Sequence, residues 1–472
     1  MEKLFEEWSG DRCVNIVSLS AHGSNRRYYR IKGNAKQCLV AVNGDVRENE
    51  AFYYYSDYFK KIGINVPEVY AVSADRTTYL LEDLGDTTLY DYLQQKKTDN
   101  SVYDDDTIAI YKRVIDCLLQ IQFGGQNIDY SYSYPREVFD EQSVRWDLNY
   151  FKYNFLKLAY IPFDEQLLEN DFDTLVSYLS RIDSATFLYR DFQSRNIMLV
   201  GEKNDLYFID YQGGRRGPLH YDLASLLYDA KAEMPIEVRQ QLLNYYIDEL
   251  SQLISIDSKQ FEQEFYLFVL LRIMQAMGAY GYRGLYEGKE HFVKSIAHAR
   301  SNMQWILQNK TLPIVVPHLN DVWHSIVESK LLNQKVATFE QSEMLTVSVN
   351  SFSFKRGYPT DASGNGGGFV FDCRALPNPG RYPKYKNFTG RDFEVIDFFK
   401  DYSEMDEFLN LVYDIVSRSV KRYQERRFTN LQVNFGCTGG QHRSVYCAEK
   451  LAQYLKNNYS CNVIVRHLEQ EK

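Results

Sequence analysis

Residues 188–196 read Leu188-Tyr189-Arg190-Asp191-Phe192-Gln193-Ser194-Arg195-Asn196, and Ile209-Asp210-Tyr211 closes the next hydrophobic run. An Asp, an Asn five residues on and a second Asp at a strand end suit transfer of a phosphoryl group from a nucleotide. One carboxylate must meet an acceptor hydroxyl and take its proton; an amide and a second carboxylate must hold the magnesium that bridges the phosphates. One short loop carrying Asp191 and Asn196 fixes their separation, and Asp210 comes from a strand that pairs beside it. Asp and Asn also favour ordinary turns. Here, however, His220-Tyr221-Asp222-Leu223-Ala224 follows, with Asp222 expected to brace the loop rather than react.

Outward from this loop, strand-like runs occupy 14–19, 28–31, 38–43 and 79–81, and helical periodicity dominates 107–123, 143–158, 237–250 and 261–277. A small β-rich lobe ahead of a helical lobe is the bilobal layout of a protein kinase. Pro313 and Pro317 read as the end of the helical stretch, and a polar linker follows. After it, strands at 345–349, 369–373, 431–435 and 462–466 alternate with helices at 405–419 and 443–456, a small α/β domain. The class expected is therefore α+β, with domains at 1–325 and 344–472 joined by a linker at 326–343.

Ser20-Ala21-His22-Gly23-Ser24-Asn25-Arg26-Arg27 joins two strands and is placed to lie over ATP phosphates, with Gly23, Ser24, Arg26 and Arg27 as contacts. The plainer alternative is a hairpin turn. Leu80-Leu81-Glu82-Asp83-Leu84-Gly85 stands where a hinge offers backbone groups to adenine, with Glu82 at its centre; the alternative is a strand end with an acidic turn. On the acceptor side, Gln193, Arg195, Arg215 and Arg216 are near Asp191 in sequence, although the two later arginines equally suit pairing with surface carboxylates. The run 146–151 either walls the acceptor cleft or is plain core.

The run DFQSRN…FIDYQGGRRGPLHYDLASLLYD, preceded by HGSNRRYYRI and LLEDLGDTTL, resembles the aminoglycoside phosphotransferase (APH/choline kinase-like) superfamily over about residues 10–320. Within it the chain is most similar to anomeric kinases acting on N-acetylmuramate and N-acetylglucosamine. The resemblance implies Asp191 as general base, Asn196 and Asp210 as magnesium ligands, ATP as donor and a sugar as acceptor. Two departures stand out. Leu39-Val40-Ala41-Val42-Asn43 lacks the lysine that kinases aim at the α- and β-phosphates, which leaves that charge to Arg26, Arg27 or magnesium. Tyr189 also replaces the usual His before Arg190-Asp191. An inactive pseudokinase is the alternative.

In the second region Gly436-Cys437-Thr438-Gly439-Gly440-Gln441-His442-Arg443 lies between a strand and a helix. Glycines there present backbone N–H groups to an anion, and an arginine can add a bidentate grip. Cys437 and Arg443, with Ser444 next, also have the Cys-x5-Arg-Ser spacing of cysteine phosphatases. Taken with FSFKRG, FVFDCRALPNPG and FTGRD, the stretch resembles the C-terminal domain of the RNase adapter protein RapZ family over about 345–470. That implies a site for a sugar phosphate or nucleotide sugar from Cys437, Thr438, Gly439, His442 and Arg443, with Arg374, Asn378, Thr389 and Asp392. The family's usual Walker motif is absent, and Gly380-Arg381 stands where an aromatic or His is expected. RNA is a further partner that the resemblance raises, with Lys384, Lys386, Lys421, Arg422, Arg426 and Arg427 as a basic face; a solvated surface is the alternative.

The formal charge of −9 over 472 residues argues against bulk capture of nucleic acid. Seven scattered cysteines without a CxxC pair suit a reducing compartment, with Cys373, Cys447 and Cys461 expected in the core. The acidic start MEKLFEEWSGDR has no apolar signal core and no run is long enough to span a bilayer, so a cytoplasmic location without membrane attachment is expected. The histidines form no metal-like cluster. The first reading is an ATP- and magnesium-dependent sugar kinase with a ligand-sensing second domain. The alternatives are a regulatory adapter for RNA or protein and a Cys437-dependent phosphatase.

Overall fold

The computed structural model describes residues 1–19, 26–97, 102–230, 232–332, 345–361, 368–426 and 428–470. Gly23, Ser24, Arg427 and most of the expected linker lie outside the described residues. The chain divides into two compact units, Met1–Tyr282 with Ser295–Ser329 and Arg283–Lys294 with Lys330–Lys472.

The first unit opens with helix α1 (Glu2–Ser9) and strands β1 (Asn15–Ser18), β2 (Arg27–Lys32) and β3 (Gln37–Val42). Helix α2 (Val46–Lys61), β4 (Val69–Val72) and β5 (Thr78–Leu81) complete a five-stranded antiparallel sheet in the order β1-β2-β3-β5-β4. β3 turns Cys38, Val40 and Ala41 inward, and Cys38 and Val40 meet Phe5, Ile31 and Leu80 in a core whose members are fully buried. Each such side chain contributes roughly 1.5–3 kcal/mol on burial.

A helical lobe follows: α3 (Leu89–Lys96), α4 (Asp105–Gly124), α5 (Glu141–Phe151) and α6 (Glu165–Leu179). Asp104, Asp140 and Asp164 each accept a backbone N–H at the start of the helix they precede. Short Asp side chains cap this way because the first-turn N–H groups have no partner inside the helix. α5 was expected to run on to 158; its α geometry instead ends at Phe151, and residues Lys152–Leu156 widen into a π-helix.

The antiparallel pair β6 (Thr186–Leu188) with β9 (Arg215–Gly217), and the hairpin β7 (Ile197–Val200) with β8 (Asp205–Phe208) between them in the chain, carry the loops read from the sequence. Helices α7 (Leu219–Leu227), α8 (Ile236–Leu253), α9 (Ser258–Tyr280), α10 (Glu290–Asn309) and α11 (Pro317–Glu328) complete the lobe. Pro317 begins α11 rather than ending a helix. At a first-turn position its missing N–H costs nothing and its fixed φ suits the helix.

In the second unit β10 (Thr346–Ser353), β11 (Gly368–Asp372), β12 (Asn430–Cys437) and β13 (Asn462–His467) form a wholly parallel sheet in the order β11-β12-β10-β13. Helices α12 (Phe393–Lys400), α13 (Ser403–Glu425) and α14 (Arg443–Asn458) supply Val395, Phe399, Val412, Val416, Ala448 and Leu451 to a core with Val347, Val349, Val433 and Phe435. Cys373 and Cys447 are buried there as expected, whereas Cys461 is only partly buried. The α+β class and both folds read from the sequence are thus observed. No helix among the described residues is long and apolar enough to cross a membrane.

Candidate active site and candidate anion loop

β6 delivers the loop at Asp191, and β8 delivers Asp210. Three tethers set their separation. The Tyr189 hydroxyl donates to the Ile209 carbonyl at 2.5 Å, so the aromatic that replaces His ties one loop to the other. The Ile209 N–H donates to the Asn196 carbonyl at 3.1 Å. Fully buried Asp222 accepts the N–H groups of Tyr189 (2.6 Å) and Arg190 (2.9 Å) on its two oxygens, the bracing expected of it. Burial pushes the Asp222 carboxyl up to about 7 against these two bonds.

Arg190 and Asp210 adopt left-handed backbone, with φ of 84° and 70°. Non-glycine residues pay for this conformation, and it collects at working sites. Arg190 is held by Asp147 of α5 at 2.6 Å and lies over the rings of Phe139 and Tyr221.

The Asp191 side chain is 47% exposed. The Asn196 amide donates to the Asp191 carbonyl at 2.8 Å and reaches Asp210 Oδ2 at 3.4 Å. Gln212 donates to Asp210 Oδ1 at 2.6 Å. Asp210 is exposed at its surface, yet the mass of protein around it and then the charge of Asp191 push its carboxyl up, against Gln212, Arg26 and Arg195. A carboxylate crowded by another is stabilised by a divalent cation. Among the described residues no group of three or more His, Cys, Asp or Glu is set to hold a metal. The amide oxygen of Asn196 and the oxygens of Asp210 are a donor set that fits magnesium, which takes one or two carboxylates and completes its shell with water and phosphate oxygens.

Arg272 of α9 was not singled out from the sequence. It is buried, its Nη1 donates to the Tyr221 hydroxyl (3.2 Å) and Gln275 (2.7 Å), and its Nη2 lies 3.7 Å from Asp191 Oδ1. Arg215 is 6% exposed and donates to the Gly213 carbonyl, with no carboxylate in ion-pair reach among the described residues. Burial, then repulsion from Arg190, pull its guanidinium down to about 10. This overturns the surface ion pair considered for Arg215, because the β6–β9 pairing carries it inward. Arg216 stays exposed and lies over Tyr130. Gln193 is half-buried and Arg195 exposed on the Asp191 loop. In the run 146–151, Trp146 is exposed while Leu148 and Phe151 are core.

On the nucleotide side, Arg27 points to solvent and Arg26 is 2% exposed. The Glu82 N–H is spent on the Glu68 carbonyl at 2.9 Å, and the Glu82 side chain accepts the Glu68 N–H at 3.2 Å. A hinge contact from Glu82 thus falls to its carbonyl.

In the second unit, Ser353 and Cys437 are register partners at the carboxyl ends of β10 and β12, where parallel sheets place ligands. Cys437 is 2% exposed; its sulfur lies 3.2 Å from the Ser444 hydroxyl and accepts the Gly440 N–H at 3.2 Å. Burial pushes the thiol up, but Ser444 and the N–H groups of Gly440 and Gly439 outweigh it and hold it below its ordinary value. Thr438 and Gly439 are exposed above it. Gly440 has φ of 68°, a turn that glycine makes without strain.

Around the loop, many expected ligand groups bond within the protein. Arg443 is buried and its Nη1 donates to the carbonyls of Arg374 (2.7 Å) and Leu376 (3.1 Å), so it fastens a neighbouring loop instead of presenting an open fork. His442 Nε2 is 3.0 Å from the Tyr385 carbonyl. Asp392 accepts the Thr389 N–H (2.6 Å) and hydroxyl (2.9 Å), Asn378 accepts the Gly380 N–H (3.1 Å), and Arg374 chelates Asp372. A Cβ on Gly390 would stand 2.3 Å from the His442 carbonyl and the Tyr446 nitrogen, so the 374–392 segment lies directly against the start of α14.

Residues 15–253 match the family model for the phosphotransferase enzyme family (APH), and residues 345–471 match the RapZ C-terminal domain. Curated relatives include a nucleotide-binding protein of Thermotoga neapolitana, 43% identical over 28% of this chain and 45% of that protein. Another, from Thermotoga petrophila, is 33% identical over 34% of this chain and 57% of its own length. The chain thus spans about half the length of these relatives. Similar solved structures include a Plasmodium vivax ethanolamine kinase, with 11% identity, 68% of this chain and 84% of that one covered, and a TM-score of 0.43. Another is aminoglycoside phosphotransferase APH(2'')-Ib with ADP, with 16% identity, 63% and 95% covered, and a TM-score of 0.43. By the match over its first half the chain belongs to the phosphotransferase enzyme family, and a RapZ C-terminal domain follows the kinase-like fold.

Proposed function

We propose that the first unit is an ATP- and magnesium-dependent kinase that phosphorylates a sugar hydroxyl, and that the second binds a sugar phosphate or nucleotide sugar. The observation that carries this reading is the tethered set of Asp191, Asn196 and Asp210, with the base exposed and the metal-side carboxyl crowded. Asp191 accepts the acceptor's proton as its oxygen attacks the γ-phosphorus, and ADP leaves. Asn196 and Asp210 would hold the cation, which would offset charge on the phosphates. Gln193, Arg195 and buried Arg215 are the groups nearest in sequence for orienting the acceptor. Amino sugars are the acceptors this reading favours, on the sequence resemblance of the first region to amino-sugar kinases.

The test is ADP release from ATP against a panel of amino sugars, aminoglycosides and choline, with magnesium and with chelator, for the intact chain and Asp191→Ala. General-base loss costs about 10²–10⁴ in rate. Asp191→Ala turnover equal to the parent's would remove the assignment.

The second unit supports a binding reading over a phosphatase one. Arg443, which a phosphatase needs at the phosphate, is occupied by two carbonyls, and Cys437 is nearly closed to solvent. An exposed backbone turn at Thr438 and Gly439 remains to receive an anion.

A further inference from the structure

Kinases carry a lysine on the third strand that contacts the α- and β-phosphates and pairs with a helix glutamate. Here Val40-Ala41-Val42 closes that strand and asparagine, Asn43, follows it. Asn43 is buried, and its amide donates to Glu48 Oε2 at 2.6 Å, in the first turn of α2. The side chain at the lysine position thus still faces a helix carboxylate, but brings no charge.

The charge lies directly across the strand pair. β2 and β3 run antiparallel with Arg27 opposite Val42, so the next step of the register sets Arg26 opposite Asn43. Arg26 Nη2 lies 3.3 Å from Glu48 Oε2, the same oxygen that Asn43 engages. Burial opposes the guanidinium's charge, but Tyr28, Tyr79 and Glu48 outweigh it and keep the group charged. Arg26 also lies over Phe52 of α2, which stacks on Tyr211, the residue after Asp210. One buried cation is therefore fastened to α2, against the aromatic pair that leads to the Asp210 loop.

We propose that Arg26 replaces the third-strand lysine as the cation for the α- and β-phosphates of ATP, with Glu48 positioning it. The inference rests on the kinase reading and names the residue that reading leaves open. Arg27, exposed on the other face of β2, is not that residue.

Calorimetric titration of the full-length chain with ATP and with adenosine, magnesium present, tests it. Arg26→Met is expected to weaken ATP by about tenfold or more, the scale of one charge-assisted contact, and to leave adenosine unchanged. Adding Asn43→Lys to Arg26→Met should restore ATP affinity, because the lysine returns charge beside the same Glu48 oxygen. Should Arg26→Met fail to fold, Glu48→Gln should show the same selective loss of ATP affinity in smaller measure. Unchanged ATP affinity, or equal weakening of ATP and adenosine, overturns the inference, as does failure of Asn43→Lys to restore binding. If the parent chain does not bind ATP at all, the kinase reading itself falls.

Discussion

Replacing Arg272 by Met keeps a long side chain in the core and removes the one guanidinium in ion-pair reach of Asp191 among the described residues. At 3.7 Å the attraction between unit charges is about 1 kcal/mol in water and about 4 kcal/mol at an effective dielectric of 20. Asp191 is 47% exposed, so screening places the effect in the lower part of that range. If the pair serves to hold Asp191 in its reactive position, losing about 1–2 kcal/mol of that hold corresponds to roughly 5–30-fold in kcat. Steady-state kinetics with the acceptor found in the panel would measure it, with KM for ATP expected to stay constant. The same substitution made in Asp191→Ala distinguishes positioning from packing. If Arg272 acts through Asp191, it costs nothing further there. Equal losses in both backgrounds, or a shared fall in thermal stability that accounts for the rate, would refute the reasoning.

Other consequences follow from the same geometry. Asp222 has its carboxyl raised to about 7, above the unfolded value of about 3.9; its contribution to stability is therefore full below about pH 4 and is lost as pH rises through 7. Denaturant titrations should show the stability of the parent relative to Asp222→Asn falling between about pH 4 and about pH 7, whereas a flat difference would contradict the buried carboxyl. Gly390→Ala places a Cβ against the His442 carbonyl and Tyr446 nitrogen; such overpacking costs about 1–3 kcal/mol, measured as a lower unfolding midpoint together with loss of sugar-phosphate binding. Alkylation mapped by peptide mass spectrometry should modify Cys437 at lower pH than Cys38, whose thiol burial raises to about 11, or Cys373, which burial also raises. A bound sugar phosphate should slow the Cys437 reaction.

The Asp191–Asn196–Asp210 loop was legible because its chemistry is local. The three residues sit within one strand-loop-strand passage, and Asp222 follows in the next helix. The parallel strands of the second unit were legible for a related reason, since buried runs such as Val433 and Phe435 read directly as β. β4 and α2 were not read. β4 is four partly buried residues, and the aromatic run Phe52-Tyr53-Tyr54-Tyr55 in α2 looks like strand until Asp45 is seen capping it. Arg272 could not be found from spacing, because it lies on α9, remote in sequence from the Asp191 it approaches. The role of Glu48 depends on strand register and a helix start together. Arg443 shows the converse: its spacing from Cys437 suggests a phosphate grip, but its direction is set by carbonyls on a loop that spacing does not reveal.

The central claim is that Asp191 directs phosphoryl transfer from ATP to a sugar hydroxyl. Mass spectrometry of sugar products formed from ATP labelled with ¹⁸O in its γ-phosphate tests it most directly. The account predicts a labelled sugar monophosphate from the parent chain and its loss in Asp191→Ala, with ATP still bound. Labelled inorganic phosphate alone, or the same sugar phosphate from both proteins, would contradict it.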